Sequence, residues 1–269
     1  HNILNDMDQP SVDGINTWYA CKAAKERGYK VALSGAGGDE LFCGYPSFYQ
    51  LPKIQRIFSI LNSLPFGSYV SQKAPKALQS FFKSEKINLI SEYSKNLNKL
   101  FLFKRALFLP EEIVKFLDRE IYQEGIDKIL EDQLFQSRDS SFLDPLSELG
   151  FLESNYYLGN QLLKDGDWAS MAHSIELRTP LVDSKLLEFI APLVKSFRPG
   201  EGKKMLSNSA TIKIPKQIVN KKKTGFGFPM DSWTNEAVST LSVDSRNISS
   251  SSSWARNWSR ALIDYNIEL

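Results

Sequence analysis

Cysteine and net charge are both scarce in this sequence, and each scarcity excludes something. Two cysteines in 269 residues, Cys21 and Cys43, build no disulfide framework, and a reducing, cytoplasmic setting is expected. Thirty-three Lys and Arg against 31 Asp and Glu leave a formal charge of +2, too balanced for a surface that coats nucleic acid, so no nucleic-acid partner is expected. No apolar run approaches the roughly 20 residues that span a bilayer, so no membrane association is expected. The opening residues His1-Asn-Ile-Leu-Asn-Asp-Met-Asp lack the basic start and apolar stretch of a signal peptide. They also lack an initial Met, and an excerpt of a longer protein is expected. What is present is ordinary for a globular chain: 42% hydrophobic and 24% charged residues, which excludes intrinsic disorder.

The pattern along the chain is mostly helical. Residues 11–27 read as a helix with Ser11 as N-cap, Ile15, Trp18, Tyr19 and Ala23 on one face, and Gly28 as the terminating glycine. Tyr29–Leu33 is a short apolar run between glycines and reads as a buried strand. It leads into Ser34-Gly-Ala-Gly-Gly-Asp-Glu40, after which Leu41-Phe42 begins a helical turn. From about 50 to 165 the periodicity predicts helices. One is marked by Ile54, Ile57, Phe58 and Leu61 and ends at Pro65-Phe-Gly67. Another starts at Pro110 and buries Ile113, Val114, Phe116 and Leu117. A third covers 120–135 with Ile121, Ile126, Ile129, Leu130 and Leu134, and a long one runs from about 145 to 172. Pro180–Asp183 introduces a further helix through Phe189. Ser249–Ser253 reads as a flexible connector before a terminal helix opened by Trp254 and Trp258. A single strand forms no sheet, so further strands are expected from preceding sequence, from short unrecognised segments or from a partner.

Three segments carry residues suited to chemistry. In Ser34–Glu40, three glycines directly after a strand allow backbone N–H groups to approach an anion, and a helix start adds its positive end. Asp39 and Glu40 then suit Mg²⁺ beside a polyphosphate, because Mg²⁺ takes one or two carboxylates together with phosphate oxygens. A tight strand-to-helix turn with an acidic helix start is the alternative. The order matches neither the dinucleotide nor the Walker pattern. In Lys164–Asp183, the ionisable Asp167, Glu176, Arg178 and Asp183 sit among small and apolar residues. Glu176 and Arg178 read as a structural ion pair, and His173 as a packing residue or a base. In the third segment, Lys221–Lys223 precede Gly225 and Gly227. One lysine can reach a phosphate there, or all three are solvated.

Taken together, the three segments resemble the asparagine synthase family in its ATP-using synthetase domain. Ser34-Gly-Ala-Gly-Gly-Asp-Glu-Leu-Phe-Cys-Gly-Tyr45 is similar to the family's Ser-Gly-x-Gly-x-Asp-Glu-Leu-Phe-x-Gly-Tyr. Asp167, Ser170, Met171, Glu176, Arg178, Pro180 and Asp183 match its middle motif. Lys223-Thr-Gly-Phe-Gly-Phe-Pro229 resembles its Lys-x-Gly-Phe-x-x-Pro loop. The resemblance implies an α/β fold of the ATP-pyrophosphatase (adenine nucleotide alpha hydrolase-like) type, predominantly helical here. By it, residues 1–269 form a partial synthetase domain, with 1–50 the remainder of the nucleotide-binding core and 51–269 a helical part with a C-terminal extension. The implied chemistry is adenylation of a carboxylate by ATP with Mg²⁺, then attack of an amine to form an amide, as when aspartate becomes asparagine with glutamine-derived ammonia. Ser34, Gly35, Gly37 and Gly38 would line the ATP site, Asp39 would hold Mg²⁺ and Lys223 would meet the leaving pyrophosphate. The implied partners are the small-molecule acid, ATP and an upstream glutaminase domain.

The sequence departs from the family at named points. The pyrophosphate loop Ser-Gly-Gly-x-Asp-Ser occurs nowhere in the 269 residues, so the isolated chain is expected to be inactive, or to bind only a nucleotide or partner. Without the family's N-terminal nucleophile, Cys21 and Cys43 inherit no such role. Ala36 stands where asparagine synthetases carry Glu, and Trp168 where they carry Arg, which leaves open a different acid or amine.

Overall fold

The computed structural model describes residues 2–64, 86–131, 144–220, 229–230, 232–233 and 253–267. They are mostly helical, with one small parallel sheet, and divide into two compact units. The first comprises His1–Phe42, Glu153–Ile190 and Glu201–Leu269, and the second Cys43–Leu152 with Ala191–Gly200.

The sheet lies in the first unit and answers the single-strand problem with a short segment that its composition hides. Strand β1, Val31–Leu33, pairs in parallel with strand β2, Glu176–Arg178, in the register Val31 to Glu176 and Leu33 to Arg178. The ladder runs one bond further at each end, since Glu176 N–H donates to Lys30 O at 2.8 Å and Ser34 N–H donates to Arg178 O at 2.8 Å. Burial of β1 was expected, but Val31 and Leu33 are exposed, Leu33 by 75%. Only the middle residues Ala32 and Leu177 turn inward.

Around the sheet, the helix Gly14–Glu26 buries Gly14, Ile15, Trp18 and Cys21, a stripe at the 3–4 residue spacing of one helix face. Gly28 ends it as expected, at φ 81 and with its N–H on Lys25 O at 2.9 Å. Ser11 is not the cap residue; its hydroxyl accepts from Gly14 N–H one turn earlier. Ile15, Met230, Trp258 and Leu262 form one core cluster, and Trp18, Trp168 and Ala169 another. The terminal helix Trp254–Ile267 is present as predicted, and Trp258 Nε1–H donates to Ser11 O at 2.9 Å.

In the second unit, the helix Ser47–Ser63 buries Phe48, Leu51, Ile54 and Phe58. Ile57, counted in the predicted stripe, lies off that face and is half exposed. The helix predicted from Pro110 is only Pro110–Ile113, and it buries none of its residues. The apolar demand there is met upstream: Phe108 and Leu109 are buried, and Phe116 sets its ring against Phe108 at 5.0 Å, leaving Val114 exposed. The third predicted helix spans Arg119–Glu131, and Ile121 on it is exposed. The long segment from Pro145 to Met171 is helical throughout, but its middle, Glu153–Leu162, is wound as a π-helix. The break at Pro65–Gly67, the loop Lys221–Phe228 and the serines 249–252 lie outside the described residues.

Candidate functional site

The chain enters the glycine-rich loop from β1 and leaves it in the short helix Gly38–Leu41. Gly37 is required at its position. Its φ is 90, and a Cβ there would lie 2.9 Å from Leu181 O, so a side chain meets both a left-handed backbone and a carbonyl. A Cβ on Gly38 would come 3.1 Å from Leu181 Cδ1. The loop thus rests directly on Leu181 and Val182 of the second motif, while Ser34 is bonded to Arg178 O from the same segment. Two of the three motifs singled out in the sequence meet here, within the first unit.

The inside of the turn is tied to itself. Ala36 N–H donates to Ser34 Oγ, and Gly38 N–H donates to Gly35 O, each at 3.2 Å. A ligand anion that used those two amides would have to replace these bonds. Gly35 faces open space and is exposed.

Asp39 and Glu40 part ways. Glu40 is buried at 2% exposure, whereas Asp39 keeps 19% of its side chain exposed and pairs through Oδ1 with Lys203 Nζ at 2.5 Å. Lys203 belongs to the helix Glu201–Asn208 and was not recognised in the sequence, where a Lys-Lys pair in a helix carries no signal of its partner. Gly202 beside it is buried, and a Cβ on it would strike the Phe42 carbonyl, so this helix lies flush against the residue that ends Gly38–Leu41.

The charged members of the second motif are exposed. Glu176 and Arg178 form the expected ion pair, Arg178 Nε–H donating to Glu176 Oε1 at 2.9 Å; residues two apart on a strand point the same way. Asp183 Oδ1 accepts from Leu186 N–H at 2.9 Å, the position of a cap on the helix Ser184–Val194. His173 is a packing residue: its ring stands edge-on to Trp18 at 4.5 Å, and burial holds its pKa below the usual histidine value. Trp168 donates its indole N–H to Asp165 Oδ1 at 3.1 Å, and Asp165 is 2% exposed, with burial raising its pKa. Cys21 and Cys43 are free and buried, and burial pushes both thiols up, Cys43 to about 12, which leaves neither as a ready nucleophile. Lys223 lies outside the described residues.

Among the described residues no cluster of three or more His, Cys, Asp or Glu is arranged to hold a metal alone, and no helix is long and apolar enough to cross a membrane. The donor set still fits Mg²⁺ that arrives with a polyphosphate. Asp39 offers one carboxylate, which here pairs with the Lys203 ammonium.

These features define an α/β protein in which a glycine-rich loop after a parallel strand is braced by a second, distant segment. The family model for asparagine synthase matches residues 2–264, and the chain belongs to that family. It is 26% identical over 238 residues to an asparagine synthetase [glutamine-hydrolyzing] of Bacillus subtilis, covering 86% of this chain and 36% of that protein. A putative asparagine synthetase [glutamine-hydrolyzing] of Mycobacterium bovis is 24% identical over 239 residues, covering 84% and 34%. The amidase chyE of Penicillium rubens is 24% identical over 269 residues, covering 85% and 36%. The chain therefore spans about a third of the length of these relatives. No solved structure matches it.

Proposed function

We propose that this chain is part of an ATP-dependent synthetase that activates a carboxylate as an acyl-adenylate and passes it to an amine, releasing pyrophosphate. The observation that carries the reading is the direct seating of Gly37 and Gly38 on Leu181, which joins two motifs about 140 residues apart in a chain of the asparagine synthase family. The fold in this reading is of the ATP-pyrophosphatase type. Ser34, Gly35, Gly37 and Gly38 line the ATP site, Asp39 holds Mg²⁺, and Lys223 meets the leaving pyrophosphate. Bound Mg²⁺ supplies Lewis-acid neutralisation of the polyphosphate charge. The chain's own part is to orient the phosphates with loop amides and to fix Asp39 through the Gly37–Leu181 seat. The amine is ammonia from a glutaminase domain of the full-length protein, as the names of two relatives suggest, and the setting is cytoplasmic.

A second reading changes the acid or amine. Ala36 favours it, because a methyl group neither accepts a proton nor pairs with an ammonium, and the similarity to a protein named as an amidase is compatible with it. Amide formation by the full-length protein, measured with a panel of amino-acid carboxylates and of amines, separates the two; turnover with no pair other than aspartate and ammonia would remove the second. In the same assay Lys223→Ala lowers kcat and kcat/KM together by about 10²–10³-fold, as when other preorganised charge stabilisers are removed. Lys221→Ala and Lys222→Ala lose only a few-fold. Equal small losses at all three would overturn the assignment of Lys223.

A further inference from the structure

We propose that a cationic groove on the second unit, along the outer face of the helix Ser47–Ser63, is a docking site for an acidic amphipathic helix of a partner protein. The groove has a volume of about 640 Å³ and lies wholly among residues of that unit, none of which the proposed synthetase chemistry uses.

Charge points to an acidic ligand. Lys53, Arg56 and Lys95 line the groove, and no acidic side chain does. Among the described residues none of the three takes part in an ion pair or a side-chain hydrogen bond. The nearby Asp144 carboxylate is already engaged, Oδ1 accepting from Leu146 and Ser147 N–H and Oδ2 from the Ser147 hydroxyl. Three cations in one concavity without a counter-ion repel one another, and a ligand carrying carboxylates relieves that repulsion.

Spacing points to a helix. Lys53, Arg56 and Ile60 follow at intervals of three and four residues, one stripe of the helix. Ile57, Ile60 and Leu64 repeat the interval beside it, and each is about half exposed, while the opposite face buries Phe48, Leu51, Ile54 and Phe58. Large aliphatic side chains in solvent next to basic ones match an occupant with apolar and acidic residues at the same helical interval. From Lys53 to Leu64 is about 16 Å of helix at 1.5 Å per residue, three turns of a partner. A single phosphate fills a small part of such a volume, and a bilayer, being flat, meets the rims of a groove rather than its floor. Pro52 and Pro145 stand in the wall and have no rotamer freedom to lose when covered.

The test uses the full-length protein and a fluorescein-labelled peptide of three Leu-Glu-Glu-Leu-Glu-Glu-Ala repeats, titrated by fluorescence anisotropy. Saturable binding that weakens with added salt is expected, with a scrambled peptide of the same composition binding far more weakly. Arg56→Glu with Lys95→Glu weakens binding by about tenfold, because each change replaces an attraction with a repulsion. Ile60→Ser weakens it without changing its salt dependence. Lys115→Glu, a reversal at an exposed lysine outside the groove, leaves binding unchanged. All these side chains are exposed, so the variants keep the parent's thermal midpoint. Equal binding of the scrambled peptide, an equal loss at Lys115→Glu, or no binding at all overturns the proposal. Displacement of the peptide by an equal concentration of inorganic phosphate makes the groove a small-anion site. Retention on phosphatidylserine vesicles that the double reversal abolishes makes it a membrane surface, and either result overturns the proposal too.

Discussion

The most instructive residue outside the loop is Asp165, a carboxyl sunk beneath Trp168 at 2% exposure. Its Oδ1 accepts the indole N–H and its Oδ2 is buried, and the neighbouring Ser11 hydroxyl and Trp168 indole only partly offset the loss of water. Burial dominates, and the proton is held to higher pH than in an unfolded chain. The sign follows: the folded state binds more protons between the unfolded and folded pKa values, so the stability this group contributes is fully present below the ordinary Asp value. It is lost as pH rises through the raised one. Asp165→Asn keeps an acceptor for Trp168 and removes the buried charge. The variant therefore melts higher than the parent at neutral pH, and the gap closes as the buffer is taken toward pH 4. A gap that is constant with pH, or a variant less stable throughout, would show that the carboxylate is compensated by contacts that asparagine cannot make.

At the scale of elements, a local device can set a helix that the sequence reading did not single out. The helix Leu97–Arg105 begins at Asn96, whose Oδ1 accepts from Lys99 N–H at 2.8 Å, and it buries Leu97, Leu100, Phe101 and Phe103. Asn96→Ala leaves that amide without its partner and lowers stability by about 1 kcal/mol, measured by urea denaturation; no change in midpoint would mean water satisfies the amide equally well. The helix end at Gly28 was readable from its glycine, and the terminal Trp254–Ile267 helix from its apolar spacing. Strand β2 was not, because Glu-Leu-Arg has no strand signature and is extended only through pairing with β1. The π-winding of Glu153–Leu162 leaves no mark in side-chain type either. Of the site, the loop and its acidic exit were legible as a motif. The seat on Leu181 and the partner of Asp39 were not, since both are contacts between segments far apart in sequence.

At the scale of the chain, what matters is how little sheet the described residues place beside the loop. A two-stranded parallel ladder with Leu33 and Val31 in solvent is a marginal platform, and two of the loop amides are already bonded within the turn. The 269-residue chain by itself is therefore expected to bind Mg-ATP weakly, short of several charge-assisted contacts of about 1.5–3 kcal/mol each. Calorimetric titration checks this, and micromolar affinity would show that the Ser34–Glu40 loop suffices. The same ladder also dictates an order of events in folding. Val31 meets Glu176 across about 145 residues of chain, and closing a loop of that length costs roughly 4 kcal/mol of entropy before any long-range contact is gained. During synthesis β1 leaves the ribosome well before β2, and their pairing forms only after Arg178 has been made. A site joined from two such distant segments forms late, and it is the place where the native structure opens first when stability runs short.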